Sequence, residues 1–154
     1  MTIEAGDRLP PFALPADDGR TLGHDDFAGR KLVLYFYPKD DTSGCTLEAK
    51  TFTDRLPDFT AADTAVVGVS RDSVKSHCKF RAKHGLGVTL LSDESGALVE
   101  PLGLWIEKSM YGRKYMGIDR ATLLVDRDGK VARVWRNVKV PGHVEAVLEA
   151  ARAL

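Results

Sequence analysis

Lys31-Leu32-Val33-Leu34-Tyr35-Phe36-Tyr37-Pro38-Lys39-Asp40-Asp41-Thr42-Ser43-Gly44-Cys45-Thr46 is the stretch on which the fold turns. Its first seven residues are a nearly continuous apolar run, short, aromatic and β-branched, which suits a buried central strand. Pro38 ends the strand. A polar loop follows from Lys39 to Gly44. Beyond it Cys45, Ala49, Phe52 and Leu56 recur at i, i+4, i+7 and i+11, one stripe of a helix. Pro57 is expected to stop that helix. A strand, a turn and a helix that opens on a cysteine form the nucleus of the reading.

The rest of the chain extends this pattern. Asp18-Gly19, between the short apolar pieces of Phe12 to Leu22, signals a hairpin. Ala65 to Ser70 reads as a second buried strand and Ser73 to His84 as a helix, with Val74, Cys78 and Ala82 on one stripe. Val88 to Leu91 is a short strand, and Ser95 to Pro101 a brief helix. Tyr115 to Gly117 can form a strand. Ala121 to Val125 and Val131 to Trp135 are strands joined through Asp128-Gly129. A last helix starts near Gly142. Strands alternating with helices, then closing antiparallel, predict a three-layer α/β/α sandwich with a mixed sheet. That order is compatible with a thioredoxin-like core. No repeat or linker interrupts residues 1–154, so one domain is expected.

Composition narrows the function classes. The 154 residues are 44% hydrophobic and 29% charged, enough for a core without staples. Lys plus Arg and Asp plus Glu each total 22. A chain with no net charge has no long-range field to gather nucleic acid or anionic membrane. Met1 to Asp7 lacks the basic and apolar regions of a secretory signal. No apolar run approaches the ~18 residues a membrane span needs. A cytoplasmic protein is expected, and that compartment keeps its two cysteines, Cys45 and Cys78, reduced.

Cys45 sits where a helix begins. The first backbone N–H groups of a helix have no intrahelical partner and carry partial positive charge. A thiol placed there loses its proton more readily, and the thiolate is the nucleophile. The alternative is a small buried packing residue. Thr42 one turn back, Pro38 as a pocket wall and the open Ser43-Gly44 backbone favour chemistry. Other cysteine chemistries fail on spacing. Positions 42 and 48 are Thr42 and Glu48, so there is no Cys-x-x-Cys. Thr51 stands where a phosphatase loop needs arginine. Cys45, Cys78, His24, His77, His84 and His143 form no zinc-finger pair.

Pro38-x-x-x-Thr42-x-x-Cys45 resembles the active-site signature of the peroxiredoxins. The longer run Tyr37 to Thr46 is similar to their Q-type, or bacterioferritin-comigratory-protein, branch. The likeness spans nearly the whole chain. It includes Gly6-Asp7 to Pro15, Val69 to Ser73, Leu91-Ser92-Asp93, Lys108 to Gly112, Gly117 to Thr122, and Asn137-Val138-Lys139 before Gly142-His143. The resemblance implies a thioredoxin fold with an added N-terminal hairpin. It implies a thiol peroxidase that reduces hydrogen peroxide and organic hydroperoxides. Cys45 would pass through a sulfenic acid. No metal or other cofactor is implied. Thioredoxin or a similar small thiol would supply electrons. Relatives in the branch are often monomers and sometimes dimers.

Carried onto this sequence, the resemblance makes Arg120 the active-site arginine and Thr42 a hydroxyl donor, with Pro38 shielding the pocket. Glu48, one turn past Cys45, either holds the arginine or decorates a surface. Trp105 and Tyr111, with Met110, line the pocket mouth or pack elsewhere. His77 and His84 read as a solvated helix face. Two departures leave recycling open. Many relatives carry a resolving cysteine five residues after the first, where this chain has Lys50. Others carry it at the position of Arg81, three residues beyond Cys78. Cys78 is therefore a candidate resolving cysteine or a buried packing thiol, and direct attack by an external thiol is the other route. A redox-signalling relay is the alternative function, and a holdase using the fold alone is a third.

Overall fold

The computed structural model describes residues 2–154. A five-stranded mixed sheet forms the centre. Its strands are β3 (Lys31–Phe36), β4 (Thr64–Ser70), β5 (Thr89–Ser92), β8 (Ala121–Val125) and β9 (Val131–Trp135), in the order β5-β4-β3-β8-β9. β3 pairs parallel with β4 and antiparallel with β8, so the predicted central strand is central. All six of its residues are buried. Two small antiparallel pairs flank the sheet: β1 (Ala13–Pro15) with β2 (Thr21–Gly23), and β6 (Trp105–Met110) with β7 (Arg113–Ile118).

Strand alternation sorts the core into two clusters. Val33, Tyr35 and Tyr37 face α1 (Ser43–Ala61) and α3 (His143–Ala153), meeting Cys45, Ala49, Phe52, Phe59, Val147 and Leu148. Leu32, Leu34 and Phe36 face the other way. There they meet Leu9, Leu14 and Leu22 of the N-terminal segment and Leu98 to Leu104. α2 (Val74–His84) runs beside the β5 edge and sends Phe80 into the first cluster. The same alternation governs β8. Leu123 and Val125 point to the second cluster, Leu124 to the first, which sends Arg120 and Thr122 to the helix side as well.

Four expectations change. α1 does not stop at Pro57 but runs on to Ala61. Proline removes one ladder hydrogen bond, yet Phe52 and Phe59 on either side are fully buried with their rings 5.8 Å apart, and that burial carries the helix through. Ser95 to Pro101 forms turns rather than a helix. The expected strand at Tyr115 to Gly117 is the middle of a full hairpin whose first strand, Trp105–Met110, lacks a clean alternation of apolar residues. His77 is not solvated: it is fully buried.

Candidate active site

Thr42 is the N-cap of α1, with an extended backbone (φ −92°, ψ 156°). Cys45 is the third helical residue, among the first four N–H groups that no helical carbonyl can reach. Its side chain is 1% exposed. β8 delivers the partner. Arg120 donates from Nη2 to Cys45 Sγ at 3.2 Å and from Nη1 to Glu48 Oε1 at 2.7 Å. One planar guanidinium thus bridges a sulfur and a carboxylate one helical turn apart, as its fixed fork of donors allows. Gly44 makes room for it, since a Cβ there would stand 3.2 Å from Nη2.

The charges are mutually adjusted. Burial works against the Arg120 charge, but Cys45 and Glu48 outweigh it and hold Arg120 above its ordinary value. Burial pushes the Glu48 carboxyl up to about 7, although Arg120 pulls the other way. Oε2 of Glu48 is buried without a hydrogen-bond partner among the described residues. Lys108, half-buried on β6, adds a further cation near the sulfur. Burial lowers its pKa, with Asp119 opposing and Arg120 adding to the effect. Beneath the site His143 bonds Thr122 Oγ1 at 2.8 Å and is lowered to about 4, chiefly by burial and then by Arg120.

The site opens on a groove of about 430 Å³ walled by Leu47, Val138, Val140 and Pro141, with Ser43, Gly44, Arg120 and Lys139 as its polar parts. Leu47 is half exposed there. A second cavity of about 340 Å³, bounded by Leu9, Phe27, Leu32 and Val125, lies at the far end of β3, away from both cysteines.

The structure brings together Cys45, Arg120 and Glu48. Thr42 stands at the same helix start, but its hydroxyl donates to the Lys39 carbonyl at 2.9 Å rather than to the sulfur. Pro38 is an exposed residue between β3 and the loop. Trp105 and Tyr111 are corrected. Trp105 packs under the Arg71 guanidinium, 4.3 Å from its ring centroid, and against the second core cluster. Tyr111 is 99% exposed at the tip of the β6–β7 hairpin. Neither lines the groove; Val138 to Pro141, from the loop before α3, do so instead. No periodic signal marked that loop, though Asn137-Val138-Lys139 had stood out in the family pattern.

Cys78 is also corrected. It is exposed, not packed, and its thiol meets the Asp17 carbonyl at 3.2 Å, in the turn between β1 and β2. A helix stripe lying at the sheet edge need not face the core. Arg81, at the alternative resolving position, donates to the buried carboxylate of Asp17 and to the carbonyls of Leu86 (2.5 Å) and Val88.

Comparison with known proteins gives this geometry a family. Residues 5–134 match the AhpC/TSA family. A putative peroxiredoxin Bcp of Coxiella burnetii is 47% identical over 148 residues, covering 96% of this chain and 98% of that one. The structure of the Xanthomonas campestris bacterioferritin comigratory protein, determined in connection with its alkyl peroxide reduction activity, superposes with a TM-score of 0.87. It is 45% identical, over 92% of this chain and 90% of the other. A cysteine-to-serine variant of PrxQ from Xylella fastidiosa gives a TM-score of 0.94 at 39% identity, over 99% and 98% of the two chains. The fold is therefore the thioredoxin-like peroxiredoxin fold. The chain belongs to the AhpC/TSA family, as a thiol-dependent peroxidase of its Bcp, or peroxiredoxin Q, branch.

Proposed function

We propose that Cys45 is the residue that attacks the peroxide and that the electrons return through an external thiol. The observation that carries this reading is the Arg120 bridge between Cys45 and Glu48 at the start of α1. The Cys45 thiolate forms a bond to the terminal oxygen of ROOH. The O–O bond breaks, its electron pair leaves with RO⁻, and RO⁻ takes a proton to become an alcohol or water. Sulfur is oxidised to the sulfenic acid Cys45–SOH.

Negative charge moves from sulfur to the departing oxygen during this step. Donors fixed in advance around both atoms favour the transition state over the ground state. Arg120 supplies one such donor, Nη2, and the helix N-terminus supplies backbone N–H groups. Glu48 holds the arginine flat and in register. The Thr42 hydroxyl acts at the same place once it turns from the Lys39 carbonyl. The apolar wall of Leu47, Val138, Val140 and Pro141 suits the R group of an organic hydroperoxide, with Lys139 at its rim.

Recycling proceeds by a thiol R′SH. It attacks Cys45–SOH, releasing water and forming a mixed disulfide; a second thiol then frees Cys45 and leaves R′S–SR′. Thioredoxin or a small thiol of like chemistry serves as donor. Cys78 has little claim to the resolving step. It faces the β1–β2 turn beyond the β5 edge, and a disulfide needs Cα atoms within about 7 Å. The test is peroxide consumption with a thiol donor, followed by intact mass after one equivalent of peroxide. A gain of one oxygen on Cys45 supports this route, and a loss of two hydrogens overturns it in favour of Cys78.

A further inference from the structure

Helix α2 sends no side-chain hydrogen bond to Cys45 among the described residues, yet it fixes the loop in front of it through a fully buried histidine. His77 Nδ1 lies 2.7 Å from Asp40 Oδ2, and Nε2 lies 2.9 Å from the Leu91 carbonyl on β5. Both partners are acceptors, so the form that satisfies both at once is the imidazolium, with a hydrogen on each ring nitrogen. Asp40 also accepts from Tyr37 Oη (2.7 Å) and Ser76 Oγ (2.8 Å), while its backbone N–H donates to Asp72 (2.9 Å). Asp41 follows at φ 61°, a conformation unusual for a residue with a Cβ, and is held by Lys83 and His84 of the same helix at 2.7 Å each. The next residue is Thr42, the N-cap of α1, whose side chain caps nothing. The loop is thus held from α2 and the turn before it rather than by a side-chain cap on its own helix.

We propose that His77 is a positioning residue for the Cys45 reaction: through Asp40 it clamps the Pro38–Thr42 loop in the closed form that oxidises Cys45. The inference rests on the peroxidase reading above. A peroxide is small enough for the groove, but a sulfur 1% exposed is closed to the attack of a bulkier thiol on its sulfenic acid. The loop must therefore be shut for the first half-reaction and open for the second. The clamp favours the shut form. Its buried charges make it sensitive to loss of either member, because the remaining charge is left without its partner.

The groups facing His77 are Tyr37 just after β3, Asp40 from the loop, Asp72 from the β4–α2 turn, Ser76 on its own helix and the Leu91 carbonyl. Burial pulls the His77 pKa down, but Asp40 and the Leu91 carbonyl outweigh it and leave it raised. A raised histidine favours the closed form fully below its ordinary value of 6.5, and that advantage fades as pH climbs through the raised value.

The test separates the half-reactions. Oxidation of reduced protein by excess peroxide and reduction of preformed Cys45–SOH by dithiothreitol are timed in wild type, His77→Gln, His77→Asn and Asp40→Asn. Thermal midpoints are taken alongside. In His77→Gln and Asp40→Asn, oxidation should slow about tenfold and reduction should quicken about tenfold, since a buried charge-assisted bond is lost. His77→Asn, whose amide nitrogen stands at the place of Nδ1 and can still donate to Asp40 while that of glutamine reaches the place of Nε2, should lie closer to wild type. The wild-type reduction rate should rise with pH more steeply than that of His77→Gln. Rates that both fall, or both stay within twofold of wild type, make His77 a mere packing residue and overturn the proposal. A wild type that consumes no peroxide overturns the peroxidase reading itself, whatever the variants do.

Discussion

Two cysteines on two helices of one chain meet opposite surroundings. Cys45 starts α1, is buried among Tyr35, Phe52 and Ala49, and receives a hydrogen bond from an arginine. Cys78 is in the middle of α2, exposed, and touches only the carbonyl of Asp17 among the described side-chain bonds. A mid-helix position has no free N–H groups to offer a thiolate. The thiol group is the same in both, so the difference lies in what the backbone and Arg120 present to sulfur. Reactivity in this molecule is assigned by position, and the way to test that is to disturb the two places unequally.

Replacing the sulfur should have the largest effect. Cys45→Ser should bring peroxide turnover down to background while the thermal midpoint and circular dichroism stay near wild type, because serine is close in volume. Turnover near normal in that variant would remove the basis for any contrast between the cysteines.

Removing the donor while keeping the sulfur comes next. Arg120→Met should lower the rate constant for Cys45 oxidation by about 10²–10³, the usual cost of one preorganised donor. The loss belongs in the bimolecular peroxide step, measured by rapid mixing, and not in reduction by thiol. An unchanged peroxide rate would mean that the 3.2 Å contact with Cys45 is structural only.

The brace behind the arginine should be visible in stability before rate. Glu48 is fully buried, and its carboxyl is pushed from 4.5 to about 7. A raised carboxyl pKa means that the folded state holds a proton the unfolded state has released. Stability from this group is whole below pH 4.5 and declines as pH rises to about 7. The decline is roughly 3 kcal/mol for a shift of that size. Glu48→Gln should flatten that slope between pH 4.5 and 7 in denaturant melts, since glutamine stays neutral. A wild-type curve with no such slope would show that Arg120 keeps Glu48 ionised throughout.

Much of this was legible in the residues. β3, the polar loop and the helix opening on Cys45 follow from an apolar run, a proline and a stripe at helical spacing. Arg120 was legible only through its place in Gly117-Ile118-Asp119-Arg120-Ala121-Thr122, since an isolated arginine has no pattern. The clamp of His77 on Asp40 was not legible. Its partners are 37 residues apart, and pairs across distant elements leave no periodic trace. The exposure of Cys78 was hidden for a related reason. Periodicity gives the face of a helix but not what that face meets, and α2 stands at the sheet edge. Pro57 misled because local propensity yields to burial, here of Phe52 and Phe59.

The smallest effect should come from Cys78, and it completes the comparison. Cys78→Ser keeps a donor for the Asp17 carbonyl, because a hydroxyl replaces the thiol at 3.2 Å. The residue is exposed, and exposed substitutions away from special features usually change stability by less than about 0.5 kcal/mol. Turnover with thioredoxin or dithiothreitol should therefore stay within about twofold of wild type, in line with the ordinary scatter of surface variants. The sensitive readout is mass. After one equivalent of peroxide, wild type and Cys78→Ser should both gain one oxygen on the peptide containing Cys45, and Cys78 should still react with a thiol reagent. Arg81 matters to this outcome, because its bonds to Asp17, Leu86 and Val88 fasten the end of α2 beside Cys78. For Cys78 to reach Cys45, those bonds or the first turn of α1 would have to give way. A wild-type mass two hydrogens lower, absent in Cys78→Ser, would show that they do and would make the exposed cysteine the resolving partner of the buried one.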